Sequence, residues 1–325
     1  MSEADRIRIA REYRSFVEAA EAGSSPLYAE FAAAVAEDDV VLDFLLTVPA
    51  ANRQPMLLFA AVRFLGGLPG DAAELRDRIR DDGDRVRATM TTRFTQTNEP
   101  GRCAALITAL AGIAGPVGLV EVGSSAGLCL YPDRYSYDFD GRPVGSRSAV
   151  HLTCTTSGPV PVPDGLPEVV ARVGIDRNPL DPADPADLEW LRALIWPGGN
   201  AAARLERLEA AARIAADDPA TVLTGDLIER LPDALALLPP DCTPVLFHTA
   251  VLIYLQRVRR EEFVGLVKSL GVRWIAQESP GVVPGLADDL AGPAFLLSRD
   301  GEALALTAPH GGRIDWLADV ERSRS

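Results

Sequence analysis

Residues 118–128 read Gly-Leu-Val-Glu-Val-Gly-Ser-Ser-Ala-Gly-Leu. The spacing predicts a strand, a tight glycine-bearing turn and then a helix, an arrangement that lets backbone amides and a helix N-terminus come close to a ligand. Glu121 stands near the end of that strand, and Gly123, Ser124, Ser125 and Gly127 line the bend. A second apolar run ends Gly174-Ile175-Asp176, where a carboxylate is placed to accept both hydroxyls of a ribose. A third ends Thr224-Gly225-Asp226, which brings Gly225 and Asp226 to the edge of the same crevice. His248 follows a fourth run, 244–247, and an imidazole projecting at the carboxyl edge of a strand suits a general base. Tyr254, Glu278 and Arg93 are weaker candidates. Gln96-Thr97-Asn98-Glu99 reads either as a cap and turn or as a polar lid in which Gln96, Asn98 and Glu99 meet a ligand. Asp176 and Asp226 each have a structural alternative as helix caps, and His248 as a hydrogen-bonded core residue.

The elements that must position these groups fall into two kinds. Ile7, Ala10, Tyr13, Phe16, Val17 and Ala20 recur at helical spacing, and a second helix is expected from Ser25-Pro26, with Ser capping and Pro at the first position. Helices are also expected over 53–65 and 72–94, separated by Gly66-Gly67-Leu68-Pro69-Gly70. After Gly118 the pattern becomes short apolar runs alternating with helical stretches, as in a parallel sheet. The runs are 118–122, 169–175, 221–223, 244–247 and 273–276. Two more, 294–298 and 303–307, flank an Asp300-Gly301 turn and predict a closing antiparallel pair. The segment 133–167 is expected to form a small hairpin or flap, and 188–215 a helix on either side of Pro197-Gly198-Gly199. The expected architecture is α/β: a helical region over residues 1–100, then a Rossmann-like domain over 101–325 with a mostly parallel sheet.

On these residues the chain resembles the class I S-adenosylmethionine-dependent methyltransferases, whose first motif joins an acid to a Gly-x-Gly-x-Gly-like loop. Here the pattern is Glu121-x-Gly123-x-Ser125-x-Gly127, with Ser in place of the middle Gly. The segment also resembles the Glu-Val-Gly-Ala-Ser-Ala-Gly-Leu signature of a bacterial family of uncharacterised proteins, DUF2332. That similarity continues through 96–99, 133–135, 174–176, 190–197, 225–226 and 247–248. The resemblance implies a methyltransferase-type domain with S-adenosylmethionine as cofactor. Gly123, Ser125 and Gly127 would then face its methionine end, Asp176 its ribose and Asp226 its adenine, and the acceptor would be a small molecule. Two other readings stay open. One is a Rossmann-like scaffold that binds a nucleoside or a partner protein without turnover. The other is an esterase, because Gly123-Ser124-Ser125-Ala126-Gly127 fits a nucleophile elbow and Ser125, Asp226 and His310 follow in a permitted order. The helical region upstream of Gly118 counts against the esterase.

Composition limits the partners. With 32 basic and 46 acidic residues the formal charge is −14, which repels a phosphate backbone and argues against nucleic acid. No apolar stretch reaches the roughly 20 residues needed to cross a bilayer. The opening Met-Ser-Glu-Ala-Asp-Arg lacks the basic and apolar regions of a secretory signal, which predicts a cytoplasmic protein. Cys103, Cys129, Cys154 and Cys242 are far apart and are expected to be reduced thiols that bind no metal.

Overall fold

The computed structural model describes residues 3–286, 292 and 294–317. Met1 and Ser2, and the tail of the expected second domain from residue 318, lie outside the described residues. The helices are α1 (Glu3–Ala22), α2 (Pro26–Val35), α3 (Asp39–Leu46), α4 (Pro55–Gly66), α5 (Ala72–Thr92), α6 (Cys103–Leu110), α7 (Pro185–Ala193), α8 (Ala201–Asp217), α9 (Leu227–Ala236) and α10 (Arg257–Leu270). The strands are β1 (Val117–Val122), β2 (Ser136–Phe139), β3 (Arg142–Val144), β4 (His151–Ser157), β5 (Val169–Asp176), β6 (Thr221–Thr224), β7 (Thr243–Thr249), β8 (Arg273–Glu278), β9 (Phe295–Arg299), β10 (Glu302–Thr307) and β11 (Arg313–Trp316). The chain divides into two compact units, Met1–Thr97 with Asp184–Glu206, and Asn98–Ala183 with Arg207–Ser325. The first unit therefore takes in a stretch beyond the expected boundary at residue 100.

The first unit is helical. Proline opens α2, α4 and α7, where a missing N–H costs no hydrogen bond. Asp38 caps α3 by accepting from the Val40 and Val41 amides, and Asp71 caps α5 by accepting from Glu74. Ser25 does not cap α2 as expected; its side chain makes no cap bond and its buried hydroxyl is unpartnered. Pro26, with its preset φ, starts that helix unaided. Tyr13, Tyr28, Phe31, Phe59 and Trp196 pack edge-on or tilted against one another at the centre.

The second unit is built on an 11-stranded mixed sheet in the order β3-β2-β4-β11-β10-β9-β8-β7-β1-β5-β6. Five strands, β6-β5-β1-β7-β8, are mutually parallel. Chain order reverses at β1, with later strands added on both sides of it. The expected antiparallel pair, β9 with β10, is present, with β9 also antiparallel to β8 and β10 to β11, but it lies inside the sheet, which continues past it through β11, β4, β2 and β3. The 133–167 segment supplies the expected hairpin, β2 with β3, and also β4, which joins the far part of the sheet through β11. One face of β1, β5, β7 and β8 packs on α9 and α10 through Val120, Val122, Val173, Ile175, Leu246 and Phe263. No described helix is long and apolar enough to cross a membrane.

Candidate functional site at the carboxyl ends of the parallel strands

The bend after β1 is held against β5 by its own amides. Gly123 and Ser124 donate to the Ile175 carbonyl at 2.7 and 3.2 Å, and Ser125 donates to Asp176 Oδ2 at 2.8 Å. Asp176 Oδ1 accepts from the Asn178 amide at 2.8 Å. Gly127 donates to Ser124 O at 2.7 Å, and Leu128 to Asn98 Oδ1 at 2.8 Å. Asp176 and the bend are thus in direct hydrogen-bond contact. Gly123 sits at φ +69° and Ser125 at +53°, which gives the chain its sharp reversal.

The helix expected after the bend is replaced by a 3₁₀ turn, Leu128–Leu130. The carbonyls that would start a helical ladder are taken by side chains: Tyr135 Oη donates to Leu128 O at 2.5 Å and Arg172 Nη1 to Leu130 O at 2.8 Å. Pro132 then has no N–H to give. The bend therefore has no helix N-terminus behind it.

Glu121, the last acid of β1, is 1% exposed and its Oε2 has no hydrogen-bond partner. Burial pushes its carboxyl well above the usual carboxylate range; Cys129 and Asp176 push the same way, and the Arg102 guanidinium opposes them. Glu121 pairs in register with Phe247, and Thr249 with Gln277, so strand alternation puts all four on one face. Arg102 completes that face by donating to the carbonyl and hydroxyl of Thr249 at 3.1 and 3.2 Å and to Pro309 O at 3.0 Å. Gln277 donates to Thr307 Oγ1 at 2.8 Å, while its own buried Oε1 is unpartnered. Glu99 accepts from Gly101 N at 3.0 Å and Arg207 Nε at 2.8 Å. It is a buried ion-pair partner, and Asn98 is the brace of the bend. Gln96 belongs to the helical unit.

His248 lies on the opposite face of β7 and is fully buried. The indole N–H of Trp274 donates to its Nε2 at 3.0 Å, and its Nδ1 lies 2.7 Å from Glu278 Oε1. An indole nitrogen can only donate, so Nε2 is the bare nitrogen and Nδ1 carries the hydrogen. Both ring positions are consumed inside the protein. The general-base role expected for His248 is corrected accordingly, since it has no lone pair to offer an acceptor. The same Glu278 oxygen also accepts from the Val251 and Leu252 amides at 2.9 and 3.0 Å. Asp226 is likewise committed: it caps α9 through Ile228 N at 2.9 Å and pairs with Arg177 and Arg259. Burial pushes its carboxyl up, but these bonds outweigh burial and hold it below the usual range. That leaves neither an adenine contact nor the middle member of a Ser125-Asp226-His310 triad. Gly225 donates to the Asp176 carbonyl at 2.9 Å. Tyr254, 66% exposed, sits in a 3₁₀ turn beyond the carboxyl end of β7.

Nothing in the local sequence marks Arg102, Gln277 or Val251 as part of the site. A Cβ added to Gly123 would lie 2.8 Å from Val251 Cγ1 and closer still to Cγ2, so that side chain fills the space beside the bend. Only the acid closing β8 left a visible trace, as Trp274, Ala276 and Glu278 alternate and put a carboxyl at the end of an apolar face.

A family model described as an uncharacterised protein conserved in bacteria, DUF2332, matches residues 10–316. The chain belongs to the DUF2332 family. No curated protein and no solved structure matches it. The signature bend of this DUF2332 chain is thus a closed, internally bonded turn between β1 and β5, with a buried acid beneath it.

Proposed function

We propose that this DUF2332 protein binds S-adenosylmethionine at the carboxyl ends of β1 and β5 and transfers its methyl group to a small-molecule acceptor. The observation that carries the proposal is Glu121, a buried acid with one unpartnered oxygen. It lies at the carboxyl edge of a parallel sheet, beside the reversal in strand order between β1 and β7. The order of the five parallel strands is that of doubly wound nucleotide-binding sheets, which take ligands at such a switch point. Buried polar groups without partners are rare and call for an explanation. A cationic ligand would supply one here, its charge drawing the proton from Glu121 and making that acid its counter-ion. Asp176, oriented by the Ser125 and Asn178 amides, would hold the ribose. The fit at Gly123 requires Val251 to yield. When bound, the cofactor contributes an electrophilic sulfonium methyl group. The protein's own share is alignment and exclusion of water, because His248 is enclosed and no general base is assigned.

Calorimetry with S-adenosylmethionine and S-adenosylhomocysteine tests the reading. Both are expected to bind the wild-type chain, and Glu121→Gln is expected to weaken S-adenosylmethionine about tenfold through loss of one charge-assisted contact while leaving S-adenosylhomocysteine, a neutral thioether, less affected. Failure of both to bind sinks it. A second reading, binding without turnover, is favoured by the Val251 side chain against Gly123 and by the enclosure of His248. Ligand binding with no methyl transfer to any acceptor offered would select it.

A further inference from the structure

We infer that Val251 is an internal occupant of the ligand's place beside Gly123, and that the turn from Ala250 to Leu252 is a latch that must swing away before an adenosyl ligand can bind. The inference rests on the proposed cofactor site and assigns its regulation. A glycine in a bend of this kind leaves a flat, side-chain-free surface that a ligand can approach closely. Here that surface is covered by an isopropyl group: both Val251 methyls lie within contact of the position a Cβ would take on Gly123.

Two amides of the cover converge on one atom. Glu278 Oε1 accepts from Val251 N at 2.9 Å, Leu252 N at 3.0 Å and His248 Nδ1 at 2.7 Å, and the other Glu278 oxygen is unpartnered. Trp274 fixes the far side of His248 at 3.0 Å. The hydrogen-bonded series Trp274, His248, Glu278 thus ends on the turn that presents Val251. Ala250, just before it, holds φ +54°, a conformation an L-residue adopts at a cost. Its amide bond to Gln277 O at 2.9 Å helps to keep it there. A strained residue adjoining a side chain that plugs a glycine bend is the arrangement of a closed state with a built-in reason to open. Glu278 acts in it as a positioning residue, through the turn rather than on the ligand.

If the latch is closed in most molecules, apparent affinity is reduced by the fraction that is open, and trimming the plug restores it. The test uses the full chain as wild type, Val251→Ala and Val251→Leu, with calorimetry and stopped-flow binding of S-adenosylhomocysteine and thermal unfolding as the fold control. Val251→Ala is expected to bind about tenfold tighter than wild type and Val251→Leu about tenfold weaker. The observed binding rate should level off with ligand concentration in wild type, with a higher plateau in Val251→Ala. Glu278→Gln keeps an acceptor for the two amides and should resemble wild type, whereas Glu278→Ala should resemble Val251→Ala. Equal affinities across the Val251 series overturn the latch and leave the cofactor site standing. No binding by any of the three Val251 proteins overturns both, because a bend opened by truncation would then take no adenosyl ligand.

Discussion

Replacing Gly123 by Ala probes the closed bend more directly than any loss of activity, because two separable penalties meet at that residue. The first is conformational: at φ +69° an alanine costs about 1–2 kcal/mol. Ser125 and Ala250 nearby hold φ +53° and +54°, so this penalty alone is tolerable. The second is steric. The new methyl would sit 2.8 Å from Val251 Cγ1 and nearer to Cγ2, and overpacking of this kind costs roughly 1–3 kcal/mol. Together they predict a loss of about 3 kcal/mol. Val251→Ala on its own removes two partly buried methyl groups, roughly 1.5 kcal/mol at about 0.8 each. In the double variant the clash shrinks to a 3.1 Å approach by Cβ, so only the backbone penalty and the lost burial remain. The double variant should therefore lose about 2.5 kcal/mol where the singles sum to about 4.5, a coupling of about 2 kcal/mol. Urea unfolding of the four proteins, followed by far-UV circular dichroism and tryptophan fluorescence, measures it, with unchanged m-values showing that only stability has moved. Additivity to within about 0.5 kcal/mol would refute the claim that Val251 fills the glycine's space.

Two further outcomes follow from the buried charges. Glu121 keeps its proton in the folded state to a higher pH than in the unfolded chain, so its contribution is fully present below the unfolded pKa and fades as pH rises through the folded one. Wild-type stability should fall relative to Glu121→Gln by up to about 1.4 kcal/mol per pH unit above the ordinary carboxylate range, in unfolding curves taken from pH 5 to 8; parallel curves would show that Glu121 ionises as an exposed acid does. Arg172 donates to both oxygens of Asp133 at 2.9 and 2.7 Å and to Leu130 O at 2.8 Å, lying 4.9 Å over the Tyr131 ring. Asp133→Ala should cost about 3 kcal/mol in a urea titration by leaving that guanidinium half-satisfied, and a change under about 1 kcal/mol would show the pair to be solvent-screened.

Much of the sheet could be read from local pattern, and little of the site could. The seven apolar runs match β1, β5, β6, β7, β8, β9 and β10 to within two residues at each end, because a strand between turn residues announces itself over five or six positions. α6 left no such mark: Cys103 to Leu110 are all buried, and a helix covered on every side shows no apolar period. β11 is four residues long with mixed polarity, too short to stand out. The site failed for a different reason. His248 is defined by Trp274 and Glu278, 26 and 30 residues further on, and Gly123 by Val251, so their roles depend on register between strands rather than on spacing along the chain. The apolar run before His248 placed it at the end of a strand but could not say which face it would join.

The part of the motif that departs from expectation bears on the proposed ligand. A glycine bend leading into a helix presents aligned amides and a positive dipole end, and such a site favours phosphate. This chain spends its bend amides on Ile175, Asp176 and Ser124, follows the bend with a 3₁₀ turn, and crosses from β1 to β5 through β2, β3 and β4 in place of a helix. It then sets an acid, Glu121, beneath the bend, with Asp176 near enough to raise that acid's pKa further. Each of these features works against a pyrophosphate and none against a cation. Under the proposed function, these features are the reason for preferring an adenosyl sulfonium to a dinucleotide. Binding a cation beside Glu121 would favour its ionised form, so affinity for such a ligand should rise with pH over the range in which the empty protein loses stability.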